Sequence, residues 1–285
     1  MRVALLAAWL VAAAAQANPA AWHVTGPGGG QLWLLGSVHY LRDRDHPLPP
    51  VVDELYARAE VIVMELDLDD LDPLRSQSQF AAAALLERGV TLRDVLPQEL
   101  YALAEERAGE LGIELAMLER FEPWLVAVTL LDLGMRRLGY RAEQGVEQYL
   151  LRKSIADRKE VLGLEALDTQ IAVFDELAPT EQQALLAQTL AELGSAEVLM
   201  DDLIAAWRAG MLGELGAALM DEFASFPALY EALVVARNTR WISRIEALLE
   251  EPEPHLVVVG ALHLVGEHNV VDLLAARGWD VRILQ

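Results

Sequence analysis

Two histidines stand three residues after a glycine at opposite ends of the chain. One is Gly36-Ser37-Val38-His39 in the frame WLLGSVHYL; the other is Gly260-Ala261-Leu262-His263 in LVVVGALHLVG. Each follows an apolar run of strand length, and in open α/β sheets ligands gather beyond the carboxyl ends of the strands. A glycine three residues earlier lets another backbone or a ligand approach closely. Glu65 closes a third apolar run, VIVMEL, so its carboxylate is expected at the same sheet edge. Two imidazoles and a carboxylate suffice to hold a divalent ion with positions left for water or substrate. Taken singly, each has an ordinary reading. A strand-end histidine is commonly a hydrogen-bonded structural residue, as read here for His23, His46, His255 and His268, and a strand-end glutamate a surface charge or a helix cap.

A second cluster, Arg237, Asn238, Arg240 and Trp241, lies in a predicted helix, where positions 237, 240, 241 and 244 share one face and would present Arg237, Arg240 and Arg244 together. An arginine there could clamp a carboxylate or steady a developing oxyanion; the alternative is a solvated face. Glu165 and Gln170 in GLEALDTQ follow a third strand, and capping of the next helix is their default role. Asp67, Asp69, Asp70 and Asp72 lack the glycine and terminal glutamate of a calcium loop and read as a solvated loop. The chain has no cysteine, which excludes thiol nucleophiles, thiolate metal sites and disulfides. It also has no GxSxG elbow, HExxH helix, Walker loop or GxGxxG after a strand.

The elements that must position these residues are strands at both ends and helices between. Ala21 to Val24 and Gln31 to His39 read as a hairpin around the glycine-rich turn 25–30, and Val61 to Leu66, Val161 to Leu164 and Leu256 to Leu262 read as buried strands. Trp279 to Leu284 alternates as an edge strand does. Apolar residues at three and four spacing mark helices over Pro97–Leu111, Pro123–Leu138, Val146–Ala156, Thr180–Leu193 and Leu229–Leu249, with a capping box from Thr180 to Gln183. Trp124 and Trp207 are assigned to the core. The expected fold is α/β: the terminal strands pair in one central mixed sheet, with a large helical insert over about residues 76–250. Such a fold would bring His39 and His263 into one site.

The first residues carry their own signal. Arg2 precedes an apolar run from Val3 to Ala15, and Ala15, Gln16 and Ala17 form a small-x-small cleavage pattern, so residues 1–17 are expected to be a signal peptide and the protein exported. That run is shorter than the roughly 20 residues that span a bilayer, and no later stretch is longer, so no stable membrane insertion is expected after cleavage. A net charge of −22 argues against nucleic-acid partners, and a hydrophobic fraction of 54% can supply a core without disulfides.

Taken in order, LWLLGSVHYL, the strand ending in Glu65, GVEQYLL, KEVLGLEALDTQIAVFDEL, AAWRAG, LVVARNTRWISRI and VVVGALHLVGEHNVVDLLAARGW resemble the TraB/PrgY/GumN family, in its bacterial GumN-like branch. The resemblance covers nearly all of residues 18–285. The family is similar to the Tiki metalloproteases, and more remotely to erythromycin esterases and haem-binding ChaN-like proteins. It implies an exported, periplasmic or secreted, metal-dependent hydrolase of Tiki type acting on a peptide or small molecule. His39, His263 and Glu65 would hold manganese, cobalt or zinc, with Glu65, Arg237 and Arg240 taking catalytic roles. Three alternatives stay open: a metal-free esterase using a histidine and Glu65, a peptide- or haem-binding envelope protein, and a structural envelope factor.

Overall fold

The first and last strands do pair. In a computed structural model, which describes residues 19–26, 28–224 and 226–284, six strands form one mixed sheet; the expected signal segment lies outside the described residues. The strands are β1 (Ala21–Thr25), β2 (Gln31–Ser37), β3 (Val61–Met64), β4 (Glu160–Gly163), β5 (His255–Gly260) and β6 (Asp280–Ile283), in the order β4-β3-β5-β2-β1-β6. β4, β3, β5 and β2 run parallel, while β1 is antiparallel to both β2 and β6. The register sets Ser37 opposite Gly260 and Met64 opposite Val258, so β2, β5 and β3 end along one edge.

The unbroken apolar runs of β3 and β5 are buried throughout, as is β2 after its first residue, because helices cover both faces of a parallel sheet. β6, which alternates, is the partly exposed edge. The expected helices form at Gln98–Glu110, Pro123–Arg137, Val146–Asp157, Pro179–Glu192 and, in pieces, Pro227–Glu250. Apolar faces of the first, second and fourth build a satellite core of their own around Leu115, Leu130 and Leu186. Trp124 and Trp207 are fully buried.

Two local readings are corrected. The helix expected from Thr180 starts one residue earlier, at Pro179, so Thr180 is not its N-cap and the expected box is replaced by a single contact, Glu181 Oε2 accepting from the Ala178 N–H at 2.9 Å. Proline at the first helical position fixes the start, leaving Thr180 inside the helix. The last long helix is not uniform: a π turn over Glu231–Val235 separates Pro227–Tyr230 from Ala236–Glu250. Such widened turns shift the phase of everything after them and recur at functional sites. Among the described residues, no helix is long and apolar enough to cross a membrane.

Candidate functional site

His39, Glu65 and His263 leave the sheet at the shared edge: His39 two residues past β2, Glu65 one past β3, and His263 in a short 3₁₀ turn, Ala261–His263, straight after β5. They meet around Gly260. A Cβ on Gly260 would stand 3.2 Å from His39 Nε2 and 3.4 Å from Glu65 Oε1, and Glu65 Oε1 lies 3.8 Å from His263 Nε2. Only a residue without a side chain leaves that space open. The Gly260 N–H donates to Glu65 Oε1 at 2.9 Å and fixes the carboxylate.

The histidine tautomers follow from their partners. His39 Nδ1 lies 2.7 Å from Glu147 Oε1, and a carboxylate only accepts, so Nδ1 carries a proton and Nε2 is the nitrogen turned to Gly260. Ser37 Oγ donates to the same Glu147 oxygen. His263 Nδ1 donates to Asn238 Oδ1 at 2.7 Å; the amide is oriented because its Nδ2 donates to the His268 carbonyl at 3.0 Å. His263 Nε2 accepts from Arg237 Nη1 at 3.2 Å, and its ring lies 4.5 Å from that of Trp241.

Arg237 is the hub of the buried side of the site. Its Nη2 reaches Glu65 Oε2 at 2.5 Å and Glu165 Oε1 at 2.6 Å, and its Nε donates to Glu165 Oε1 at 3.0 Å. Its Nη1 also donates to the Leu233 carbonyl of the π turn at 3.3 Å, and the guanidinium lies 4.7 Å from the centre of the Trp241 ring. Trp241 Nε1 completes the set by donating to Glu165 Oε2 at 3.0 Å.

Three expectations change here. Glu165 does not cap the following helix; it pairs with Arg237 and Trp241, because a buried guanidinium requires a carboxylate more than a helix end does. Arg240 and Arg244 do not join Arg237: both are exposed. The rotation of helix Ala236–Glu250 is set by Ile242, Ile245, Leu248 and Leu249, whose burial centres the inner face on Trp241 and carries Arg240 round to solvent. Asn238, named with the helix cluster, holds His263 rather than a ligand, and Glu147 was not singled out in the sequence. The one signal for Glu147 was its place at a helix start in GVEQYLL, which by itself reads as a favourable dipole contact.

The electrostatics of the two histidines diverge. The Glu147 carboxylate beside His39 raises its pKa to about 9, against burial of its packed edge and with Glu65 adding to the effect. Water reaches the other face, where 56% of the side chain is exposed, and screens the pair. Burial drives His263 down to about 3, with Arg237 and His39 acting in the same direction against Glu65. For Glu65, burial is outweighed by positive charge from His263, Arg237 and His39 and by the Gly260 N–H, giving a pKa of about 2. Since His263 is neutral near pH 7, Arg237 and the protonated His39 are the cations that face Glu65 there.

The residues fit a divalent cation in kind. Glu65, Glu147 and Glu165 are three buried carboxylates against one buried guanidinium, so two negative charges are unmatched before any imidazole proton or cation is counted. Each histidine has Nδ1 tied to an oxygen and Nε2 turned inward, the arrangement that a hydrogen-bond acceptor behind the ring imposes on metal-binding histidines. The fit is not that of a ready-made cage: among the described residues no group of three or more His, Asp or Glu side chains is disposed to hold a metal ion. Arg237 stands against both His263 Nε2 and Glu65 instead.

An α/β sheet with two histidines, a glutamate and a carboxylate-paired arginine at the carboxyl edge of its parallel strands defines the class of this protein. A family model matches residues 20–283, and the chain belongs to the TraB/PrgY/gumN family. It is similar to the uncharacterized protein YbaP of Escherichia coli (strain K12), 28% identical over 265 residues that cover 92% of this chain and 96% of YbaP. It is also similar to the metalloprotease TIKI1 of Danio rerio, 24% identical over 87% of this chain but 60% of that protein, and to human TIKI1, 23% identical over 87% of this chain and 59% of that protein. No solved structure matches.

Proposed function

We propose that this protein is a hydrolase, and more finely a metal-dependent peptidase in which His39, His263 and Glu65 hold manganese, cobalt or zinc. The observation that carries the reading is the convergence of His39 Nε2 and Glu65 Oε1 on the open space at Gly260, with His263 Nε2 beside them. A divalent ion bound there would supply Lewis-acid polarisation of a carbonyl and a water of lowered pKa. The protein's own groups have distinct tasks. Without an ion, His39, open on one face, carries a proton at Nε2 near pH 7 that it can give up and take back; an ion bound at that nitrogen would replace the proton. Gly260 N–H and Arg237 hold the Glu65 carboxylate in one orientation, and Arg237 is the fixed positive charge nearest a developing oxyanion. The peptide substrate class is drawn from the relatives named metalloproteases.

A second reading is favoured by Arg237 itself, whose contact with His263 Nε2 already engages that nitrogen. In this reading hydrolysis needs no metal, and His39 with Glu65 activates water directly. The test is a quenched-peptide library and an ester panel, assayed with chelator and after loading with manganese, cobalt or zinc, for the wild type, His39→Ala and Glu65→Gln. Chelator-sensitive cleavage lost in both variants supports the metallopeptidase. Chelator-insensitive cleavage lost in both supports the metal-free reading, and binding without turnover overturns the hydrolase. Export, to the periplasm or beyond, is proposed from the Val3–Ala15 run and the Ala15-Gln16-Ala17 pattern, and N-terminal sequencing of the mature protein after fractionation tests it.

A further inference from the structure

We infer that Glu147, backed by Ser37, is the positioning residue that decides which nitrogen His39 presents to the site. The contact is built into the chain rather than made by a free surface carboxylate. Glu147 lies in the first turn of helix Val146–Asp157, and that helix start is fastened to the segment after β2. The Val146 N–H donates to the Val38 carbonyl at 3.2 Å, and a Cβ on Gly145 would stand 2.2 Å from the His39 carbonyl oxygen. Only glycine at 145 allows that approach, so Glu147 and His39 are held together by backbone, not by the reach of a long side chain. The carboxylate is 12% exposed, at a helix N-terminus that favours its charge.

Two donors, Ser37 Oγ–H and His39 Nδ1–H, converge on Glu147 Oε1. The order is therefore hydroxyl, carboxylate, imidazole, with His39 Nε2 at the open end. In a nucleophilic triad the imidazole stands between hydroxyl and carboxylate. Here the buried Ser37 hydroxyl donates its proton to the same carboxylate oxygen as His39 Nδ1 and not to the imidazole, so Ser37 is a brace and not a nucleophile. The opposite histidine has the same device in a neutral form, the Asn238 amide.

The consequence for rate rests on the hydrolase reading, but the test need not. With 15N-histidine labelling, proton NMR of the wild type should show a far-downfield imidazole N–H from His39, identified by its loss in His39→Ala. That resonance should vanish in Glu147→Leu, move upfield but persist in Glu147→Gln, and shift while remaining in Ser37→Ala. The His263 N–H should stay in place throughout. Should Glu147→Leu fail to fold, the upfield move in Glu147→Gln is the deciding result. A wild type without the resonance, or one unaltered by both Glu147 substitutions, overturns the inference. Where a substrate is found, Glu147→Leu should lower kcat about ten- to a hundredfold, as loss of outer-shell partners does, with KM little changed. A protein with the resonance but no hydrolysis would remove the hydrolase reading and leave the positioning role standing.

Discussion

His39 and His263 share the motif Gly-x-x-His and the same edge of one sheet, yet the fold gives them opposite surroundings. His39 is backed by a carboxylate and open on one face, with 56% of its side chain exposed; its pKa is raised to about 9. His263 is backed by an amide, packed at a tilt against Trp241 and sealed at 6% exposure, and its pKa falls to about 3. The motif glycines differ as well. A Cβ on Gly36 would meet Ala20 Cβ at 2.9 Å and Ala261 Cα at 3.2 Å, so Gly36 serves packing, whereas Gly260 faces His39 and Glu65. One spacing thus produces a basic, accessible imidazole and a neutral, enclosed one, because the environment and not the motif sets protonation.

The enclosed half should be the costlier to disturb. Arg237→Met leaves Glu65 and Glu165 buried without their cation and should lose about 3–5 kcal/mol in urea unfolding, as broken buried pairs do. The exposed Arg240→Met should stay within about 0.5 kcal/mol. Equal effects from the two substitutions would contradict the enclosed hub. Next in size, Asn238→Ala strips the partner from a buried His263 N–H and should lose about 1–3 kcal/mol. Unfolding midpoints of the variant and wild type at pH 7 decide this.

The glycine pair sharpens the contrast further. Gly36→Ala overpacks the strand against Ala20 Cβ and the Ala261 backbone and should lose about 1–3 kcal/mol. Gly260→Ala, whose nearest contacts are side-chain atoms beside an open face, should change stability by less than about 1 kcal/mol. Peptide cleavage or metal uptake should nevertheless fall in Gly260→Ala, since its methyl fills the space between His39 Nε2 and Glu65 Oε1.

The smallest effect is expected in the alkaline pH profile. A folded-state pKa raised to about 9 gives His39 a contribution that is fully present below its unfolded value near 6.5 and lost as pH rises through 9. Exposure keeps that contribution small, and His39→Ala should flatten this limb alone. The acid limb has the opposite sign. His263 and Glu65, lowered to about 3 and about 2, contribute stability above their unfolded values that is lost as pH falls through those folded values. His39→Ala should leave most of it. Denaturant midpoints between pH 3 and pH 9.5 distinguish the limbs.

The amino-acid sequence by itself determined the strands, most of the long helices and the three groups at the sheet edge. Apolar runs of strand length, three-and-four spacing and a residue's place at the end of a run are local properties that survive in any compact fold. Tertiary structure alone decided which polar groups serve the site. Glu147 and Glu165 each sit at or before a helix start, where sequence reads a cap or a dipole contact. Their true partners, His39 and Arg237, lie 108 and 72 positions away. Arg237 and Arg240 are alike in sequence, and only the burial of Ile242, Ile245, Leu248 and Leu249 turned one inward and the other to water. Local periodicity fixes which face of an element is apolar; the polar residue that a buried charge pairs with is fixed only when distant elements are packed and leave it no water to choose instead.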